Sequence, residues 1–269
     1  MRRLILRPGA IGDCILSLPA LQHLRATYTE VWISSAVVRL VAFADTVRPL
    51  SSTGVDIVGV GDLEMPTGLR HRLQSSDSIV SWYGSNRPEF REALTRLGVP
   101  CEFHAALPPS GFEGHATDFF SEQVGAQAGL LPQIGVPTAT SRGTIIMHPF
   151  SGSARKNWPL ASYRELAGRL ARPVEWTCGP EEELSGAVRF DCLHELAMWM
   201  AGAQAYIGND SGITHLAAAI GLPTLAIFGP CSPNAWVPRG PNVRVLRATP
   251  LCDLRVDDVL EAVNRYLGK

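Results

Sequence analysis

Three stretches of this 269-residue chain bring hydroxyls, glycines and charge together in patterns suited to a phosphate. Asn209-Asp210-Ser211-Gly212 stands between an apolar run, Ala205 to Gly208, and an alanine-rich segment, Ile213 to Ile220. That is turn and helix-start chemistry. A helix beginning there offers unpaired N–H groups and a partial positive charge, which favour an anion. Asp210 reads as the cap, Ser211 as a donor and Gly212 as a place where a ligand reaches the backbone; a plain helix cap is the other reading of the same residues. The second stretch is His148-Pro149-Phe150-Ser151-Gly152-Ser153-Ala154-Arg155-Lys156-Asn157-Trp158-Pro159. Ser151, Gly152 and Ser153 leave room for phosphate oxygens, Arg155 or Lys156 supplies charge, and Pro159 fits a first helical position. Of 24 basic residues only Lys156 and the terminal Lys269 are lysine. In so Arg-biased a chain an internal Lys marks a place for a compact ammonium, with chance as the alternative. The third stretch is Cys178-Gly179-Pro180-Glu181-Glu182-Glu183. A carboxylate at a strand end can hold ribose hydroxyls, although a solvated acidic helix start is the plainer reading. Together the three loops would hold a diphosphate and its nucleoside.

The elements that must position these loops follow from periodicity. Ala205–Gly208 and Thr224–Phe228 are strand-length apolar runs joined by a helix that Gly221-Leu222-Pro223 stops, so they read as a parallel crossover. Upstream in the same half, Thr144–Met147 and Val174–Thr177 are strands, Pro159 to about Ala171 and Leu193–Ala201 are helices, and Val188–Phe190 is a short strand. Val243–Leu246 and a helix over Val256–Leu267 close the chain. In the first half, Arg3–Arg7 is a strand and Pro8-Gly9-Ala10-Ile11-Gly12 a glycine-bearing turn. A helix then runs from Asp13 to about Thr27 with Ile15, Leu16, Leu18, Leu21 and Leu24 inward. Val31–Ser34, Val55–Val60 and Ser78–Trp82 read as strands; Val37–Val47, Arg87–Leu97 and Gly114–Gly129 read as helices. Leu131–Arg142 has Pro, Gly, Ser and Thr without period and reads as a linker. Alternating strands and helices imply parallel sheets covered on both faces. The expected architecture is two α/β domains, 1–135 and 143–269, with a ligand cleft between them.

Composition removes several classes of function. The chain is 46% hydrophobic and 18% charged with a net charge of −1, which is globular and points to neither nucleic acid nor an acidic membrane surface. Apolar runs are too short for a transmembrane span, and the N-terminus meets Pro8, Gly9 and Asp13 too soon for a signal peptide. Cys14, Cys101, Cys178, Cys192, Cys231 and Cys252 form no C-x-x-C pair, which suits reduced thiols in a cytoplasmic protein. There is no G-x-G-x-x-G, P-loop or G-x-S-x-G motif, no D-x-D for a metal-bound diphosphate, and no pair of histidines at metal spacing.

RPGAIGDCILSLPALQHLR, HPFSGSARKNWPLASYRELAGRL and YIGNDSGITHLAAAIGLPTLAIFGP resemble, in order and spacing, three motifs of glycosyltransferase family 9. That family includes ADP-heptose:lipopolysaccharide heptosyltransferases. The resemblance covers the first helix unit and most of the second half, and nothing specific between about Ser34 and Gly143. It implies a GT-B fold, with two Rossmann-like parallel-sheet domains facing each other, the first binding acceptor and the second nucleotide-sugar. It also implies an inverting transfer that needs neither cofactor nor metal. By position, Asp13 matches the general base, with Gly9 and Gly12 in its loop, and Lys156 matches the residue that neutralises the donor diphosphate. Ser151, Gly152 and Ser153 match the phosphate-binding loop, and Asp210, Ser211, Gly212 and His215 the donor motif. Glu182 is a weaker match to a ribose-binding acid. The implied partners are an ADP-linked sugar, a heptose, and a glycan or lipopolysaccharide-type acceptor, the latter leaving room for peripheral contact with the inner membrane. The chain is shorter than typical members in its first half, which holds 11 Arg and no Lys against 13 acidic residues. The acceptor could therefore be another polysaccharide, a small molecule or a protein. An epimerase-type enzyme on the same fold, a non-catalytic sugar-nucleotide sensor and a nicotinamide oxidoreductase are the competing functions. Intact Asp13 and Lys156 weigh against the sensor, and the missing fingerprint against the oxidoreductase.

Overall fold

A computed structural model describes residues 1–61, 63–229 and 233–267; Cys231 and Lys269, noted above, lie outside the described residues. The chain divides into two units, the first Met1–Phe112 with Ala116–Leu130, the second Glu113–His115 with Leu131–Lys269.

The first unit runs β1 (Arg2–Arg7), α1 (Ile11–His23), β2 (Tyr28–Ile33), β3 (Thr46–Pro49), α2 (Thr67–Gln74), β4 (Ser78–Ser81), α3 (Pro88–Thr95), β5 (Cys101–Phe103) and α4 (Ala116–Gln123). Its sheet has the order β3-β2-β1-β4-β5 with every pairing parallel. This is the Rossmann order, whose reversal point lies between β1 and β4. One face is packed by Leu4, Leu6, Trp32, Ile79, Phe90 and Leu94. The inward set read from α1 is buried throughout, but the helix begins at Ile11 and ends at His23, because the chain must turn into β2 by Tyr28.

Two readings in this unit are corrected. Val37–Val47 is not a helix: Ser35–Leu40 is a short 3-10 turn, and β3 begins at Thr46. Asp45 prevents continuation, since its backbone N–H donates to the Thr29 carbonyl and its carboxylate accepts the Thr29 N–H, which fixes it beside β2. Val55–Val60 is not a strand but a 3-10 turn over Val55–Ile57. Gly59 beyond it has a φ of 72°, and a Cβ there would meet the Glu89 backbone at 2.6 Å. The segment is tucked against α3 in a conformation that a ladder cannot hold.

The second unit runs β6 (Ile145–His148), α5 (Leu160–Arg169), β7 (Val174–Trp176), α6 (Leu193–Met200), β8 (Ala205–Asn209), α7 (Gly212–Ala219), β9 (Thr224–Phe228), α8 (Pro233–Trp236), β10 (Val243–Arg247) and α9 (Val256–Leu267). Sheet order is β10-β9-β8-β6-β7, again all parallel. Counted within the unit this is 2-1-3-4-5, whose reversal lies between β6 and β8. Ile145, Met147, Ile207, Leu225 and Ile227 pack with Trp158, Tyr163, Leu166, Val259 and Val263 to form the core. The short strand expected at Val188–Phe190 reduces to a single bridge, Thr177 to Val188. No helix among the described residues is long and apolar enough to cross a membrane.

Candidate functional site

The carboxyl ends of β6 and β8, on either side of the sheet reversal, carry two of the three loops. The loop leaving β6 is locked from beneath. Asn209, fully buried at the end of β8, accepts on Oδ1 from the Trp158 N–H and the Tyr163 hydroxyl, both at 3.0 Å. The Ser151 hydroxyl lies 2.7 Å from Asn157 Oδ1 and 2.8 Å from the Ser153 carbonyl, donating to one at a time. Held in this way, the loop closes in a 3-10 turn over Ala154–Lys156 and brings Lys156 Nζ to 2.8 Å from Asp210 Oδ2. Arg155 is exposed, so of the two cations left open by the sequence it is Lys156 that meets the β8 loop. Gly152 is exposed at the loop's tip, where a Cβ would meet nothing.

The helix cap differs from the reading above. Ser211, not Asp210, is the N-cap of α7, and its hydroxyl accepts from the Thr214 N–H at 3.4 Å. Asp210 precedes the cap, and its carboxylate is drawn to Lys156 instead. Gly212 opens the helix. His215, in the first turn, is buried, and its Nδ1 has no hydrogen-bond partner among the described residues. Burial pushes the imidazole down to about 4; Asp210 opposes this, and the neighbouring His115 and Lys156 add to it. His115, which belongs to the second unit, was not singled out by the sequence because nothing in its local pattern marks it.

Glu182 is turned inward rather than solvated. Its Oε2 accepts the Gly179 N–H at 2.5 Å and lies 3.1 Å from His148 Nε2. Burial raises the carboxyl's pKa, but the hydrogen bonds from His148 and Gly179 outweigh it and hold the group below its ordinary value. Pro180 and Glu181 form a turn, closed by the Glu182 N–H donating to the Gly179 carbonyl at 3.2 Å, and no helix starts at Glu181–Glu183. His148 is itself buried, with Nδ1 lacking a partner among the described residues. Buried polar groups are ordinarily hydrogen-bonded, so the two open imidazole nitrogens mark places where a ligand could be held.

Below its ordinary pKa of 6.5 an unfolded histidine takes a proton, whereas His215 in the fold stays neutral to about 4. The unfolded state therefore binds more protons between these values, and stability rises with pH across that window. The chain is expected to lose roughly 2 kcal/mol between pH 7 and pH 5 through this residue. Urea unfolding at both pH values should show a correspondingly smaller loss in His215→Gln; equal losses would contradict the assignment.

In the first unit, Gly9 lies in the turn after β1, and Gly12 and Asp13 lie in the first turn of α1 that follows it. Asp13 reaches back so that Oδ2 accepts the Ala10 N–H at 3.0 Å. Gly9 has a φ of 132°, and a Cβ there would sit 2.9 Å from Asp13 Cβ and 3.1 Å from Oδ2, so only glycine leaves room for this carboxylate. Arg7, at the end of β1, is a buried residue of this turn that the sequence reading passed over as part of a strand.

Among the described residues no group of three His, Cys, Asp or Glu side chains could hold a metal ion. None of the five described cysteines is in a disulfide.

The family model described as glycosyltransferase family 9 (heptosyltransferase) matches residues 103–260. Lipopolysaccharide heptosyltransferase 1 of Escherichia coli K12 is 28% identical over 146 residues, 48% of this chain and 46% of its own length. Lipopolysaccharide heptosyltransferase 1 of Pseudomonas aeruginosa is 36% identical over 94 residues, 29% of this chain and 26% of its own. The matched stretches thus span less than half the length of these relatives. Among solved structures, E. coli ADP-heptose LPS heptosyltransferase II superposes with a TM-score of 0.78 at 18% identity, covering 99% of this chain and 98% of that one. E. coli heptosyltransferase WaaC with ADP gives 0.73 at 19% identity, covering 99% and 100%. The two parallel sheets therefore have the GT-B type of fold.

Proposed function

The chain belongs to glycosyltransferase family 9, and on that premise we propose that it is an inverting, metal-independent glycosyltransferase. It moves a heptose from an ADP-linked donor to a hydroxyl acceptor such as a lipopolysaccharide core or another glycan. The observation that carries this reading is the Lys156–Asp210 pair, 2.8 Å apart, immediately before the N-terminus of α7. A diphosphate bound there would be met by an ammonium and by the positive end of a helix, which stabilise the charge that develops as the C–O bond to the sugar breaks. Ser151, Gly152 and Ser153 would line the phosphates, Glu182 would take ribose hydroxyls, and Asp210, Ser211, Gly212 and His215 would face the sugar and diphosphate. Asp13 would remove the proton of the attacking hydroxyl in a single displacement, which inverts the anomeric centre. Residues 1–135 would take the acceptor and 143–269 the donor. We place the reaction in the cytoplasm, with the enzyme in peripheral contact with the inner membrane where the acceptor is lipid-linked.

Release of ADP from ADP-heptose in the presence of an acceptor glycan tests the activity. Turnover is expected to be undiminished in excess EDTA; activity lost to EDTA and restored by magnesium would overturn the metal-independent reading. A thermal-shift comparison of ADP-, UDP-, GDP- and dTDP-sugars tests the donor. The ADP-sugar at 100 times its dissociation constant should add about 2.7 kcal/mol of stability. A larger shift from another nucleotide would reassign it.

A further inference from the structure

Arg7 is fully buried at the end of β1, and the oxygens that receive its hydrogen bonds are all neutral. Nε donates to Ser17 Oγ at 2.9 Å. One terminal nitrogen donates to the carbonyls of Pro8 at 2.8 Å and Ala106 at 3.2 Å, and the other to the carbonyl of Asp13 at 3.0 Å. The guanidinium carbon lies 4.4 Å from the centre of the Phe120 ring. A cation taken out of water is costly unless it is compensated, and burial draws this guanidinium below its ordinary pKa, with Cys14 and Asp13 acting the other way. An apolar side chain of similar length would fill the space at less cost, so the fork of donors is what the site retains.

We propose that Arg7 is a positioning residue for Asp13. Its fork grips the turn at both ends, through the Pro8 carbonyl before Gly9 and the Asp13 carbonyl after Gly12. It also joins the turn to Ser17 of α1 and to the segment after β5. The backbone that carries the Asp13 carboxylate is thereby fixed in one orientation toward the acceptor hydroxyl. Only a planar group with several donors can span these acceptors; a lysine ammonium keeps the charge and loses the span. The proposal rests on the reading of Asp13 as the general base.

The test is a double-mutant cycle of Arg7→Lys and Asp13→Asn, with turnover from a transfer assay, ADP affinity from calorimetry and folding from denaturant unfolding. Arg7→Lys is expected to lower turnover about ten- to a hundredfold, the order expected for an ångström-scale misplacement, with ADP affinity unchanged. In the Asp13→Asn background the same change is expected to cost less than about threefold, because the group it positions no longer acts. Equal losses in both backgrounds, or full turnover of Arg7→Lys, would overturn the proposal. Near-parental turnover of Asp13→Asn alone would remove the base reading and this proposal with it, a result distinct from the other two. If Arg7→Lys does not fold, Arg7→Gln, which keeps a planar donor, is judged on the same criteria. If neither folds, Arg7 serves stability and the proposal fails.

Discussion

Asp13→Asn is expected to lower turnover by about 10²- to 10⁴-fold while donor affinity stays nearly unchanged. The geometry makes this substitution a clean probe. Asp13 Oδ2 accepts the Ala10 N–H, and the amide oxygen of asparagine can accept the same bond, so the turn and the start of α1 are kept. What the variant lacks is a group able to take a proton from a hydroxyl as that oxygen attacks the sugar. If Asp13 served only to cap its helix, its removal would cost about 0.5–2 kcal/mol of stability, and asparagine would recover most of that with turnover intact. Turnover and ADP affinity measured on the same preparation separate the two roles. Near-normal turnover would leave Asp13 as a cap and remove the mechanism.

The second unit was more legible in the sequence than the first, for a physical reason. Its central strands β6, β8 and β9 are buried along their whole length and read as near-continuous apolar runs, as in Ala205–Gly208 and Thr224–Phe228, and the loops after β6 and β8 carry glycine and serine. In the first unit β3 and β5 are short and partly exposed, so the helix read over Val37–Val47 takes in Thr46 and Val47 of β3, and Cys101–Phe103 carries no strand signal. α2, with Leu69 and Leu73 as its buried apolar residues, was missed for the same reason. Candidate residues were found where a motif marks them. Charge and hydroxyls close in sequence identified Lys156, Asp210 and Ser211, but which of the last two caps α7 was misread. The choice depends on Lys156, 54 positions before Asp210, reaching the Asp210 carboxylate through space. Asn209 and His148 act through partners distant in sequence, and Arg7 through backbone carbonyls of its own turn, the Ser17 hydroxyl and the Ala106 carbonyl; their types alone do not set them apart from ordinary strand ends.

Lys156→Ala is expected to weaken ADP binding by about 1.5–3 kcal/mol, roughly a 10- to 150-fold rise in the dissociation constant. Two effects contribute in the same direction. The variant loses the charge-assisted hydrogen bond from the ammonium to the diphosphate. It also leaves the Asp210 carboxylate, only 7% exposed, without the Lys156 cation, and so adds a negative charge at the proposed diphosphate site. The fold should persist, because Lys156 is on a loop whose anchoring passes through Asn209, Asn157 and Trp158 rather than through the lysine itself. Lys156→Arg separates charge from shape. It restores the cation but spreads it over a wider planar group, and ADP affinity should recover only in part. Titration calorimetry of ADP against the parent and both variants reads the result directly. An unchanged affinity in Lys156→Ala would show that the diphosphate does not bind at the start of α7 and would move the donor site elsewhere.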